Sequence, residues 1–219
     1  MPGGSMNGEL FAPEPVDNRA FERRVLGQGY TAVAGVDEAG RGALAGPVVA
    51  AAVILPHAGD FSGVDDSKKL SPAERDGLYD LIMGRAVAVG VGIGDHDLID
   101  RVNILQATLH AMKEAVGALA VQPDYLLVDG ISAPPVPLPL LTIKKGDSAS
   151  LSIAAASIIA KVTRDRLMVG FGRHYPRYGF AMHKGYGSRV HLQAIARFGP
   201  CPIHRTTFRG VREYLAAIP

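Results

Sequence analysis

The chain of 219 residues has a single cysteine, Cys201. One thiol cannot form an internal disulfide and offers no partner for a zinc site, so the expected compartment is a reducing cytoplasm. No apolar run approaches the roughly 20 residues of a membrane span. The longest candidate, Val48 to Leu55, has the length of one strand. The N-terminus lacks the basic and apolar regions of a secretory signal peptide. Acids are scarce in the final quarter: from Lys161 to Glu213, eleven Lys and Arg face only Asp165 and Glu213, a local balance of +9 in a chain of net charge +2. An acidic front and a basic end suit a polyanionic partner held by the C-terminal part, with a solvated basic surface as the plain alternative.

What is present fits one soluble globular domain with an appendage: 47% hydrophobic and 20% charged residues over a length that can bury a core. Residues 1–18, rich in Gly and Pro, read as a disordered tail that extends to about residue 30, with a short helix at Phe21 to Leu26. Thr31 to Asp37 and Val48 to Leu55 read as strands, antiparallel because the turn between them is too short for a crossover. Ser71-Pro72-Ala73-Glu74 is a capping box opening a helix to about Met83, and Ala86 to Ile93 is a third strand. One helix follows Asp95 and Asp97, with Ile104, Leu105, Leu109, Met112, Val116 and Leu119 at helical spacing. Tyr125 to Val128 and Leu140 to Ile143 complete five strands, and a long helix runs from about Ser150 to Val169. The pattern is α/β, with a mixed five-stranded sheet and strand 4 parallel to strand 1.

The chemistry concentrates where strands end. Strand 1 runs into Asp37-Glu38-Ala39-Gly40-Arg41-Gly42, strand 4 into Asp129-Gly130, and strand 5 into Lys144-Lys145-Gly146-Asp147-Ser148. Ligands bind beyond the carboxyl ends of strands in open sheets. Buried acids there need a cation, and hard oxygens without His or Cys suit magnesium or manganese. For both Asp37 and Glu38 to serve one site, the backbone is expected to leave strand geometry near Glu38, because successive side chains point to opposite faces. Singly, each acid also reads as a turn or cap residue. The Gly40–Gly46 turn fails as a dinucleotide fingerprint and has no Walker lysine, leaving a phosphate cradle or a plain turn. Lys68, Lys69, Lys144, Lys145 and Lys184 suit phosphates or solvent, and Tyr186 suits stacking or packing. His183, His191 and His204 lack zinc spacing, and the serines around Ser157 lack a nucleophile elbow.

In order, Asp37-Glu38-Ala39-Gly40-Arg41-Gly42, Asp66-Ser67-Lys68-Lys69-Leu70, Asp129-Gly130, Lys145-Gly146-Asp147-Ser148, Ser157 through Asp165, His183-Lys184-Gly185-Tyr186-Gly187 and His204 through Phe208 resemble bacterial type 2 ribonuclease H (ribonuclease HII) from about Ala32 to Phe208. The resemblance implies a ribonuclease H-like fold, with a catalytic domain at 31–170 and a basic helical extension at 171–219. It implies an endonuclease that cuts the RNA strand of RNA:DNA hybrids and cuts 5′ of ribonucleotides embedded in duplex DNA, leaving 3′-hydroxyl and 5′-phosphate ends. Asp37, Glu38, Asp129 and Asp147 would hold Mn2+ or Mg2+, two ions with substrate. Gly40, Arg41 and Gly42 would recognise the ribose 2′-hydroxyl, with Tyr186 stacking on the neighbouring sugar. Lys68, Lys69, Lys145, Ser157, Lys161 and Lys184 would complete the substrate contacts. A cytoplasmic monomer is expected; a hybrid-binding module that does not cut, or a DNA-only nuclease of this fold, are the alternatives.

Overall fold

A computed structural model of the protein describes residues 18–217. Residues 1–17 of the expected tail lie outside the described residues. Helix α1, Ala20–Leu26, is structured and docked, which corrects that part of the tail reading. Its buried Glu22 accepts hydrogen bonds from the Ser150 hydroxyl (2.6 Å) and from the Ser152 amide (2.9 Å) and hydroxyl (2.7 Å). An anion at the start of a long helix is favoured by the unpaired amides and dipole there.

Strands β1 (Val33–Ala39), β2 (Val48–Ile54), β3 (Ala88–Gly94), β4 (Tyr125–Asp129) and β5 (Leu140–Ile143) form one sheet in the order β3-β2-β1-β4-β5. The β1–β2 and β2–β3 pairs are antiparallel, and β4 lies parallel to both β1 and β5, as the mixed-sheet reading expects. Helix α2, Pro72–Arg85, starts on the full capping box of Ser71 and Glu74. The single helix expected after Asp95 is two: α3 (His96–Val102), capped by Asp95, and α4 (Ile104–Gly117), capped by Asn103. Asn103 sits at φ +72°, a left-handed conformation that asparagine tolerates and that breaks the helical run. Helix α5, Leu151–His174, runs five residues further than the sequence suggests, followed by α6 (Phe180–His183) and α7 (Arg189–Phe198).

The sheet is covered on both faces, which is why β2 is apolar throughout. Ala50, Ala52 and Ile54 join Met112 and Val116 of α4, while Ala51 and Val53 join Ile158 and Ile159 of α5. Glycines set both contacts. A Cβ at Gly92 would lie 2.0 Å from the Ala111 carbonyl oxygen, and one at Gly35 2.1 Å from the Ser152 backbone. The glycines that weaken β3 as a sequence pattern are therefore what lets α4 rest on it. Beyond α5, Phe180, Ala194 and Ile203 share a buried cluster with Met168 of α5 and Ala45 of the glycine turn.

Candidate active site

The β1–β4 register ends at Val36 against Val128, so Asp37 and Asp129 are the next residues on two adjacent parallel strands. Both continue the face that Gly35 and Leu127 turn toward α5. Asp147 arrives from the turn after β5, where Lys145 adopts φ +56° and Gly146 leaves room. The Gly146 amide donates to Asp129 at 2.6 Å, tying this turn to the end of β4. Glu38 differs from expectation: β1 keeps its regular pairing with β2 through Ala39 against Val49, with no departure at Glu38. The parallel register with β4 has already ended, so Glu38 needs no bulge to stand at the same end of the sheet. Arg41 holds its carboxylate at 3.3 Å.

The electrostatics tie these acids together. Burial, then the charges of Glu38 and Asp129, hold the Asp37 carboxyl well above the usual carboxylate range, against a 2.7 Å bond from the Glu38 amide and one from Ser157. Burial also raises Glu38, opposed mainly by Arg41, and raises Asp129, opposed by the Gly146 amide. The Lys68 ammonium sits 2.8 Å from Asp147, and that bond raises its pKa. The donor set is hard oxygen alone, which fits a divalent ion of the magnesium or manganese type. Among the described residues, however, no three acid, His or Cys side chains are already arranged around one metal position. The four acids of the sequence expectation stand at one shared sheet end, where Lys68 holds Asp147 and the Gly146 amide holds Asp129.

The glycine turn is shaped from behind. Gly40 has φ +98°, and a Cβ there would lie 1.9 Å from Nε of Arg164. Arg164, fully buried, donates to the carbonyls of Pro47 (2.8 Å), Lys184 (2.9 Å) and Ala45 (3.1 Å). Arg205, equally buried, donates to those of Gly46, Arg41 and Gly40 at 2.7 to 3.0 Å. The sequence places both arginines among the basic residues for a duplex backbone; they are internal straps instead, a role that charge counting cannot distinguish. Arg41 and Gly42 stay exposed, and open space surrounds Gly42.

Tyr186 is 38% exposed, with Arg164 5.2 Å and Lys161 5.9 Å from its ring centre. Lys161 pairs with Asp165 at 2.8 Å and Lys69 with Asp65 at 3.1 Å. Lys184, at φ +53°, donates to the Ala181 carbonyl, while Lys144 and Lys145 are exposed. Ser157, expected as a substrate contact, is buried, lies 2.9 Å from the Ser67 hydroxyl, and lowers the pKa of Asp37 against the effect of burial. A groove of about 670 Å³ runs from Tyr186 and Lys161 past Arg166 and Arg173, between α2, α5 and α6.

The family model for Ribonuclease HII matches residues 34–211, a span that contains all of these groups. Ribonuclease HII of Geobacter sulfurreducens is 69% identical over 195 residues, covering 89% of this chain and 90% of that protein. That of Geobacter metallireducens is 67% identical over 196 residues, covering 90% and 92%. The crystal structure of ribonuclease H2 from Pyrococcus horikoshii superposes with a TM-score of 0.71 at 28% identity, covering 85% of this chain and 98% of that one.

Proposed function

The chain belongs to the ribonuclease HII family and is a metal-dependent ribonuclease H type endonuclease; from that premise we propose that it cuts the RNA strand of RNA:DNA hybrids and incises 5′ of ribonucleotides embedded in duplex DNA. The products are 3′-hydroxyl and 5′-phosphate ends. The observation that carries the site assignment is Asp37 at one sheet end beside Glu38 and Asp129, its pKa held up first by burial and then by those two charges. Asp37, Glu38, Asp129 and Asp147 would hold two divalent ions, Mn2+ or Mg2+, with substrate. When bound, such ions supply Lewis acidity for the hydrolytic water and the leaving 3′ oxygen.

The chain's own residues do the rest. Ser157 and the Glu38 amide orient the Asp37 carboxylate. Lys68 exchanges Asp147 for a phosphate oxygen, and Lys69, Lys145, Lys161 and Lys184 hold the strand nearby. The turn at Gly40, Arg41 and Gly42 meets the ribose 2′-hydroxyl, the group that separates RNA from DNA, and the open space at Gly42 admits that approach. Tyr186 packs on the neighbouring sugar. Residues 31–170 carry the chemistry, and the basic extension at 171–219 adds to the duplex grip. Following the family resemblance, we assign the protein to the cytoplasm as a monomer; as a separate fact, among the described residues no helix is long and apolar enough to cross a membrane.

A labelled duplex with one ribonucleotide, incubated with Mn2+ or Mg2+ and with EDTA beside an all-DNA duplex, tests this reading. Cleavage 5′ of the ribonucleotide is expected only with the metal. Binding without cutting, or equal cutting of all-DNA duplex, overturns it. Asp37→Asn is expected to lower kcat by about 10³-fold or more while leaving duplex binding in place, since it removes a ligand charge and no phosphate contact.

A further inference from the structure

His183, His191 and His204 take no part in the chemistry above, yet they sit directly under Tyr186. His191 and His204 are buried, at 0% and 1% exposure, and their Nε2 atoms are 3.0 Å apart. Their neighbours decide where the protons are. The Tyr186 carbonyl only accepts, so His191 Nδ1, 2.9 Å away, is the donor. A neutral imidazole has one N–H, so His191 Nε2 accepts, and His204 Nε2 must donate to it. His204 Nδ1 is then bare and accepts the Cys201 amide at 2.9 Å, the nearer of its two contacts there, the Cys201 carbonyl oxygen lying at 3.2 Å. Burial holds both rings at a pKa of about 4, so this neutral pairing persists near pH 7. His183 stacks on His191 with ring centres 4.4 Å apart, donates to the Tyr178 carbonyl at 2.7 Å, and accepts the Gly185 amide at 3.2 Å. Every ring nitrogen is thus used within the protein, which argues for a directed chain of hydrogen bonds and against a metal site.

The chain joins two recognition elements. At one end His191, on α7, holds the Tyr186 carbonyl. At the other, His204 forms an isolated β-bridge with Ala45 of the glycine turn, and the next residue, Arg205, holds the carbonyls of Gly40 and Arg41. The Leu44 amide donates to the Gly185 carbonyl at 2.8 Å, closing the circuit one residue from Tyr186. We propose that the His191–His204 pair is a positioning brace that sets the Tyr186 ring relative to the Gly40–Gly42 turn and so fixes the enzyme's preference for a ribonucleotide at an RNA–DNA junction. The inference rests on the reading that Tyr186 meets the junction sugar.

The test compares His191→Leu, His191→Asn, Tyr186→Ala and the His191→Leu/Tyr186→Ala double variant on a single-ribonucleotide duplex and on a long RNA:DNA hybrid. Asn keeps a donor near the Nδ1 position and Leu does not. The expected result for His191→Leu is a fall in kcat of about tenfold on the single-ribonucleotide duplex and less than about twofold on the hybrid, with substantial recovery in His191→Asn. In the Tyr186→Ala background the His191→Leu loss on the junction should vanish, because its means of action is gone. Equal losses in both backgrounds or on both substrates overturn the brace, as does an unchanged junction rate in His191→Leu when Tyr186→Ala is impaired. If Tyr186→Ala itself leaves junction cleavage intact, the Tyr186 reading fails first and the brace with it. Should His191→Leu fail to fold, His204→Asn keeps the acceptor for Cys201 but breaks the link to His191, and the same double-variant comparison decides.

Discussion

Lys68 neutralises part of the acidic cluster through its 2.8 Å contact with Asp147 and its attraction to Asp37. Lys68→Met removes that ammonium and leaves the carboxylates to repel one another. The midpoint of thermal unfolding should therefore rise more on adding Mn2+ in the variant than in the wild type, by about 2–4 °C. Equal rises would mean that Lys68 does not screen the site. Gly40→Ala asks for a Cβ 1.9 Å from the Arg164 guanidinium at a backbone angle of +98°. Because the turn must shift, kcat/KM on single-ribonucleotide duplexes should fall by about 10²-fold, read from single-turnover cleavage. At this scale the four acids were legible as candidates, because Asp37 and Glu38 follow an apolar run into a glycine turn and Asp129 and Asp147 each stand beside a glycine near a strand end. Arg164, Arg205 and Ser157 were not, since a carbonyl-binding arginine and a phosphate-facing one have the same charge, and a serine under a carboxylate looks like any helical serine.

Among the elements, the contact of α5 with β1 matters most, because it brings Ser157 close to Asp37. Gly35 permits it. Gly35→Ala would place a Cβ 2.1 Å from the Ser152 backbone and should cost about 3 kcal/mol of stability. The check is a lower urea midpoint with an unchanged slope. Five strands, the β1–β2 hairpin and the parallel β1–β4 pair were readable from apolar runs, short turns and crossover lengths; the places of β3 and β5 in the order were not. The division into α3 and α4 was not, because it depends on one asparagine adopting φ +72° inside a stretch whose periodicity runs on. Nor was the regular path of β1 past Glu38, which depends on where a neighbouring strand stops pairing.

Over the whole molecule, stability and binding respond to solution conditions in distinguishable ways. His191 and His204 titrate at about 4 when folded against about 6.5 when unfolded, so the unfolded chain takes up protons first. Their contribution is complete above about pH 6.5 and is lost as pH falls toward 4, by roughly 3 kcal/mol for the first ring protonated. The raised carboxyls of Asp37, Glu38 and Asp129 act in the opposite sense, because the folded form binds protons more readily there. The clean measurement is therefore a difference: urea unfolding between pH 7 and 4.5 should lose less stability in His204→Asn than in the wild type. Duplex affinity should fall with salt, each phosphate contact adding about −0.9 to the logarithmic slope, and Arg173→Gln in the groove should reduce that slope by about one contact.

The straps behind the glycine turn have one more consequence. Arg164 and Arg205 hold the turn of residues 40 to 47 by its carbonyl oxygens, so its path is fixed through the main chain, while the exposed side chain at position 41 reaches Glu38 at 3.3 Å. That position is a fitting on a fixed mount. A panel of substitutions at Arg41 can retune which sugars are accepted while the mount keeps its course, separating selectivity from architecture within a single enzyme.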